Sequence, residues 1–259
     1  MATLRVHDLT EYWKKTDLMV KPASYPMAAG YDVPSVDTIH RPLTLDLSEV
    51  CHEDRVYWAV RRAQDILLSS LALVALSPLL LITYAAIWID SPGASPIFTQ
   101  QRVGRNGKLF KMYKFRTMCP DAEQKLKGLM ERNEKDGPVF KMKNDPRITR
   151  VGKFLRKTSI DEMPQLFNVL FGSMSLVGPR PERPYFVERF KEEIPRYMIK
   201  HQVRPGMTGW AQVNGYRGDT SITKRIEHDL YYIENWTLGF DFKILFLTFF
   251  KGFINKNAY

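Results

Sequence analysis

The sequence predicts an α+β protein with a re-entrant membrane helix, a small β-hairpin and several amphipathic helices at the membrane interface. Three observations carry this. The stretch from Ile66 to Ile89 holds no charged side chain, and a helix of that length matches the hydrocarbon core of a bilayer. Two strand-like runs flank Asn106-Gly107, and segments of helical period fill much of the remainder.

Ser77-Pro78 interrupts the apolar stretch at its middle. A proline there removes a backbone donor, strands the carbonyl of Val74 and kinks the axis. A kinked apolar segment suits a dip into one leaflet and back. Arg55, Arg61 and Arg62 precede the stretch, and Arg102, Arg105, Lys108 and Lys111 come after it. Basic residues beside a membrane segment favour the cytoplasmic side. With both flanks basic, neither end is favoured for export, which suits a dip better than a crossing. Lys111, Lys114 and Arg116 have the charge to meet anionic head groups. A buried core helix would be shorter and carry some polar face. The stretch starts far from Met1, with no small-residue cleavage pattern after it, so it does not read as a signal peptide.

The 38 Lys+Arg against 28 Asp+Glu give a formal net charge of +10. That balance suits nucleic acid, a phospholipid surface or a phosphorylated substrate. Cys51 and Cys119 alone make no disulfide framework, which points to a reducing compartment. The histidines show no pair at metal-ligand spacing, so zinc is not expected.

Residues 1–60, punctuated by Pro22, Pro26, Pro34 and Pro42, read as a partly ordered N-terminal extension. Residues 61–90 form the membrane helix, broken at Ser77-Pro78, and 91–259 the domain after it. In that domain Ser91-Pro92-Gly93 makes a turn. Strands over 97–103 and 109–115 pair as a hairpin through Asn106-Gly107. A helix is expected over 122–133. Over 161–171, Met163, Leu166, Phe167 and Leu170 recur with helical spacing, and Gly172 caps the end. Further helices are expected over 185–199 and 224–235. Residues 240–254 pair Leu and Phe with Lys243 and Lys251, which fits a helix lying in the interface plane or, equally, a core helix.

Phosphate handling is the recurring chemical theme. Gly178-Pro179-Arg180-Pro181 holds an arginine in a stiff loop, as bidentate phosphate binding requires. Val203-Arg204-Pro205-Gly206 repeats the pattern, with Trp210, Gln212 and Asn214 after it. Between them, Asp161-Glu162 comes after Arg156-Lys157. As an N-cap with Pro164 in the first turn, Asp161 would be purely structural. Ionised beside Arg156 and a helix N-terminus, it can bind Mg²⁺ or attack a phosphoryl centre.

Arg61-Arg62…Asp65, Ser77-Pro78, Ile97-Phe98-Thr99-Gln100, Lys114-Phe115-Arg116-Thr117-Met118, Asp161 to Val169, Gly178-Pro179-Arg180-Pro181 and Val203-Arg204-Pro205-Gly206 occur in one order. From about Arg61 to Tyr259 the chain resembles the bacterial sugar transferase family, the monotopic polyprenyl-phosphate sugar-1-phosphate (phosphoglycosyl) transferases. It resembles a short-form member with an N-terminal extension. The resemblance implies a catalytic domain on the cytoplasmic face of the bacterial cell membrane. It implies transfer of a sugar-1-phosphate from a UDP-sugar to polyprenyl (undecaprenyl) phosphate, with release of UMP, to initiate exopolysaccharide, capsule or other glycoconjugate assembly. It assigns Asp161 as nucleophile in a covalent aspartyl intermediate, Glu162 as its metal or proton-handling partner, and Mg²⁺ as cofactor held by the two. Arg156 and Arg180 match phosphate-binding arginines of the family, and Arg204 and Gln212 are candidates for the nucleotide side. Membrane lipids are expected partners, nucleic acid is not, and the reading allows a homodimer. The tail Lys256-Asn257-Ala258-Tyr259 resembles members that start with glucose. The rival readings are a non-catalytic membrane scaffold and a basic nucleic-acid-binding protein, neither of which needs the Asp161-Glu162 pair.

Overall fold

The computed structural model describes residues 55–129, 142, 144–194, 196–218 and 220–252. The extension as far as residue 54 and the tail from 253 lie outside these. A single helix, α1 (Arg55–Asp90), runs for 36 residues, ~54 Å at the α-helical rise. It begins at Arg55, inside the segment assigned to the extension, because Trp58 already packs edge-on against Trp236 with ring centroids 4.7 Å apart. The helix also continues through Ser77-Pro78 rather than ending there. The Ser77 hydroxyl donates to the Val74 carbonyl at 2.8 Å. The acceptor that Pro78 strands is therefore satisfied within the helix.

One stripe of α1 meets the rest of the protein toward both of its ends. Arg61, Asp65, Ser69, Thr83 and Ile87 are buried at helical spacing. The N-terminal half is held by polar contacts. Arg61 donates to Val177 O at 2.7 Å and to Tyr232 Oη at 2.9 Å, and pairs with Asp241 at 3.2 Å. Arg62 donates to the carbonyls of Val169 and Leu170, both at 2.6 Å. Asp65 accepts from Leu176 N and Ser175 Oγ. The C-terminal half is held by apolar packing of Leu80 and Ile87 with Phe115 and Leu155. On the opposite face Leu67, Leu71, Val74, Leu81, Ile82, Trp88 and Ile89 are exposed.

The hairpin β1 (Ile97–Val103) and β2 (Leu109–Phe115) has the expected strand bounds, and its register sets Ile97 opposite Phe115 and Val103 opposite Leu109. Its tip places Asn106 at φ 56° and Gly107 at φ 74°, the left-handed pair that Asn-Gly favours. Helix α2 (Ala122–Leu129) covers the start of the run expected to 133, and residues 130–133 of that run lie outside the described residues. α3 (Arg150–Thr158) is capped by Thr149, whose hydroxyl accepts from Gly152 N at 2.9 Å. Gly152 is required by close approach: a Cβ there would sit 2.1 Å from Thr117 O.

The helix expected over 161–171 is shorter. α4 spans Gln165–Leu170, with Gly172 at φ 85° just beyond it, and Asp161-Glu162 stand in a separate 3₁₀ turn, Ile160–Glu162. Asn168 of α4 accepts from Tyr113 N and donates to Lys111 O, locking α4 onto β2. β3 (Ser175–Val177) pairs in parallel with β4 (Gly206–Thr208). The helix expected over 185–199 ends early as α5 (Pro184–Glu193), because Pro195 forces Ile194 into an extended conformation, φ −118° and ψ 116°. A 3₁₀ run, Tyr197–Gln202, leads into β4.

α6 (Trp210–Val213), α7 (Ile222–Glu234) and α8 (Leu238–Gly252) complete the described chain. The main core gathers Val177, Val187, Tyr197, Ile199, Val203, Ile226, Tyr232, Ile233 and Ile244. In α8, Asp241 and Ile244 are buried, while Phe242, Phe246, Phe249 and Phe250 are exposed.

Candidate active site

Helix α3 stops at Ser159, which adopts a left-handed conformation (φ 57°, ψ 16°) and returns its N–H to Arg156 O. That conformation costs a non-glycine residue roughly 1–2 kcal/mol. It turns the chain sharply into Ile160–Glu162, where Glu162 N donates to Ser159 O and Met163 N to Ile160 O. Asp161 is therefore no helix N-cap, since α4 begins at Gln165 with Pro164 before it. The N-cap reading of Asp161 fails here.

The two carboxylates have different surroundings. Glu162 is caged by cations from three separate elements. Lys114 of β2 stands 2.9 Å from Oε1. Arg180 forks onto both oxygens, Nη2 to Oε1 at 2.5 Å and Nη1 to Oε2 at 3.3 Å. Arg217, from the loop after α6, reaches Oε2 at 3.4 Å. Burial alone would push the Glu162 carboxyl up, but Arg180, Lys114 and Arg217 outweigh it and hold it well below the usual range. Asp161 goes the other way. Burial and the adjacent Glu162 charge push its pKa up, against the pull of Lys114, Arg156 and Arg217. The expected hold by Arg156 and a helix N-terminus is thus outweighed. Among the described residues no salt bridge closes on Asp161.

Arg156 donates through Nε to Thr117 Oγ1 at 2.8 Å and contributes charge to Asp161. The turn preceding α3 is fixed by Arg147, bidentate on Asp145 with Nη2 to Oδ2 at 2.7 Å.

The two Gly/Pro loops pack backbone to backbone. Gly178 N donates to Thr208 O and Gly206 N to Pro179 O, each at 2.9 Å. A Cβ on Gly206 would lie 2.1 Å from Gly178 N, and one on Gly209 would lie 2.3 Å from Gly178 O. Glycine is needed because the chains touch. Arg180 emerges from this clasp toward the dyad, and Arg204 does not. The charged groups acting on Arg204 are Arg105, Arg62, Asp65 and Arg61, none of which contacts Glu162. Gln212 is buried and donates to Met207 O at 3.1 Å, bracing the second loop from within.

Of the residues singled out in the sequence, the structure brings together Asp161, Glu162, Arg156 and Arg180, and leaves Arg204 and Gln212 elsewhere. Lys114, expected to face head groups, is instead the Glu162 partner. Arg217 was missed. Its signal was present in Gly215-Tyr216-Arg217-Gly218, again an arginine between glycines, with Gly215 at φ 88° and Gly218 at φ 72°.

Among the described residues, no group of three or more His, Cys, Asp and Glu side chains could hold a metal by itself. Both Glu162 oxygens are engaged by Lys114, Arg180 and Arg217, so of the two expected metal ligands Asp161 is the one that fits Mg²⁺, with diphosphate and water supplying the rest of its shell.

A family model described as bacterial sugar transferase matches residues 56–255. A UDP-glucose:undecaprenyl-phosphate glucose-1-phosphate transferase of Klebsiella pneumoniae is 49% identical over 203 residues, 77% of this chain and 41% of that protein. One of the same description from Escherichia coli (strain K12) is 47% identical over 204 residues, with the same shares. A UDP-N-acetylgalactosamine-undecaprenyl-phosphate N-acetylgalactosaminephosphotransferase of Aeromonas hydrophila is 48% identical over 195 residues, 74% of this chain and 43% of that protein. The chain spans about two fifths of the length of these curated relatives. It belongs to the bacterial sugar transferase family.

Proposed function

We propose that this member of the bacterial sugar transferase family moves a sugar-1-phosphate from a UDP-sugar to polyprenyl phosphate at the cytoplasmic face of the membrane. The observation that carries the reading is the unequal pair: Asp161, on which no salt bridge closes among the described residues, beside Glu162 in its cage of Lys114, Arg180 and Arg217. A carboxylate free to attack, next to cations concentrated on one point, is what displacement at a diphosphate needs.

In the first step an Asp161 oxygen attacks the sugar-bearing β-phosphorus. The bond from that phosphorus to the bridging oxygen breaks, and UMP leaves with the electron pair. The sugar phosphate is then held as a mixed anhydride on Asp161. In the second step an oxygen of polyprenyl phosphate attacks the same phosphorus and the Asp161 carboxylate is released. Arg180, Arg217 and Lys114 bind non-bridging oxygens as negative charge develops, and Glu162 keeps the three cations aligned between turnovers. Mg²⁺, if bound at Asp161, would neutralise further charge on the diphosphate, since Glu162 is engaged by its three cations.

Membrane association is supported by α1, whose two halves contact the same body while its outer face stays apolar and exposed. A straight crossing would carry one half away from that body. This favours a monotopic dip, with the exposed phenylalanines of α8 as further interfacial contacts. Neither rival reading, scaffold or nucleic-acid binder, accounts for the unequal carboxylates.

The test is Asp161→Asn, nearly isosteric at a position that caps no helix. UMP release should fall by about 10³-fold or more, with the melting temperature little changed. Wild-type protein given a UDP-sugar without lipid acceptor should carry a sugar-phosphate adduct at Asp161 by mass spectrometry. Near-normal turnover by Asp161→Asn would sink the mechanism.

A further inference from the structure

Arg180 and Arg217 reach Glu162 from different loops, so something must fix the distance between those loops. The first runs from β3 to α5. The second, around Gly215-Tyr216-Arg217-Gly218, joins α6 to α7. Arg225, in the first turn of α7, touches both. Its Nη1 donates to Glu182 Oε1 at 3.1 Å, two residues after Arg180. Its Nη2 donates to Gly218 O at 3.0 Å, one residue after Arg217. The Arg225 and Glu182 side chains are largely buried, with 13% and 11% relative exposure.

The far side of Glu182 is anchored as well. Its carbonyl accepts from Val103 N at 3.0 Å. Arg102 of β1 donates to Pro181 O at 3.3 Å and lies 4.0 Å from Glu182 Oε2. Burial lowers the Arg102 pKa to about 10, partly offset by the Glu182 charge. The first loop is therefore fixed to the hairpin on one side and to α7 on the other. Arg225 ties the second loop to that same frame.

We infer that Arg225 is a positioning residue: its guanidinium bridges Glu182 and Gly218 and thereby sets the spacing of Arg180 and Arg217 across the diphosphate seat. The planar fork can satisfy two acceptors in fixed geometry, which a lysine ammonium on a flexible stem does not. Arg225 itself touches neither Glu162 nor Asp161. This inference rests on the transferase reading, because it assigns the two arginines a common anionic substrate.

A mutant cycle on the full chain, reconstituted with undecaprenyl phosphate and scored by UMP release from a UDP-sugar panel, tests it. Arg225→Met should lower kcat/KM about 30-fold, since small misplacements of binding groups are costly. In an Arg217→Met background, where no spacing is left to set, the same substitution should cost less than about threefold. Losses that multiply in the double variant overturn the inference and leave Arg225 a structural residue only. If Arg225→Met does not fold, Arg225→Lys takes its place in the cycle and the same two outcomes decide. Absence of UMP release by the wild-type protein across the panel would overturn the transferase reading and this inference together.

Discussion

The loops at 178–181 and 203–206 share a vocabulary of glycine, proline and one arginine, and they lie back to back. Their arginines nevertheless face different surroundings. Arg180 forks onto Glu162, while Arg204 stands among Arg105, Arg62, Arg61 and Asp65. The shared vocabulary is explained by the clasp. Glycine allows Gly178 and Gly206 to touch, and proline stiffens the chain on either side. Backbone approach required the motif twice, and only one copy directs its arginine to the carboxylates.

The largest effect that would break this contrast is at Arg180. Arg180→Lys keeps the charge and loses the fork. UMP release should drop about 100-fold, in line with loss of one oriented oxyanion contact, with an unchanged melting temperature. The matching Arg204→Lys should stay within about threefold of wild type. Equal losses at the two positions would mean that both loops bind substrate.

Much of this was legible in the sequence, for reasons that differ by element. The hairpin was readable to the residue because Asn-Gly demands left-handed backbone and strand alternation is local. Pro78 predicted a stranded Val74 carbonyl, and Ser77 supplies the missing donor. The helix expected over 161–171 was misjudged because its apolar spacing continues back through Met163, whereas the left-handed Ser159 imposes a 3₁₀ turn first. Nothing local marks Ser159 for that conformation. The partners of Glu162 come from positions 114, 180 and 217, and their convergence depends on how β2, the clasp and the loop before α7 pack. Arg61 and Arg62 were read as topology signals, yet they are bolts between α1 and the domain. Charge counting treats every arginine alike, and packing distinguishes them.

The 3₁₀ run feeding the second loop gives the next contrast. His201 is buried and its pKa is lowered to about 3, by burial first and the Lys200 charge next, with the Gly104 backbone opposing. The unfolded chain takes a proton near pH 6.5 that the folded chain refuses. Stability attributable to His201 is thus full above about pH 6.5 and declines as pH falls toward 3. At about pH 5 the deficit is about 2 kcal/mol. Thermal melts at about pH 7.5 and about pH 5 should show a larger acid loss for wild type than for His201→Gln, by roughly 4–8 °C. Identical acid losses would show that His201 is protonated in the folded protein.

The smallest expected effect is at Arg204 itself, and it sharpens the contrast most directly. Burial lowers the pKa of Arg204, and the charges of Arg105 and Arg62 lower it further, with Asp65 as the opposing carboxylate. The folded state therefore disfavours its charge, and replacing it by an uncharged side chain of similar length relieves repulsion. Arg204→Met should leave the melting temperature equal to or slightly above that of wild type. The backbone clasp should persist, because Arg204 contributes its carbonyl, close to Gly178, rather than its guanidinium. UMP release and the KM for the UDP-sugar should both stay within about twofold. A raised KM with unchanged kcat would instead assign Arg204 to nucleotide binding, the role its sequence first suggested, and would extend the substrate across both loops.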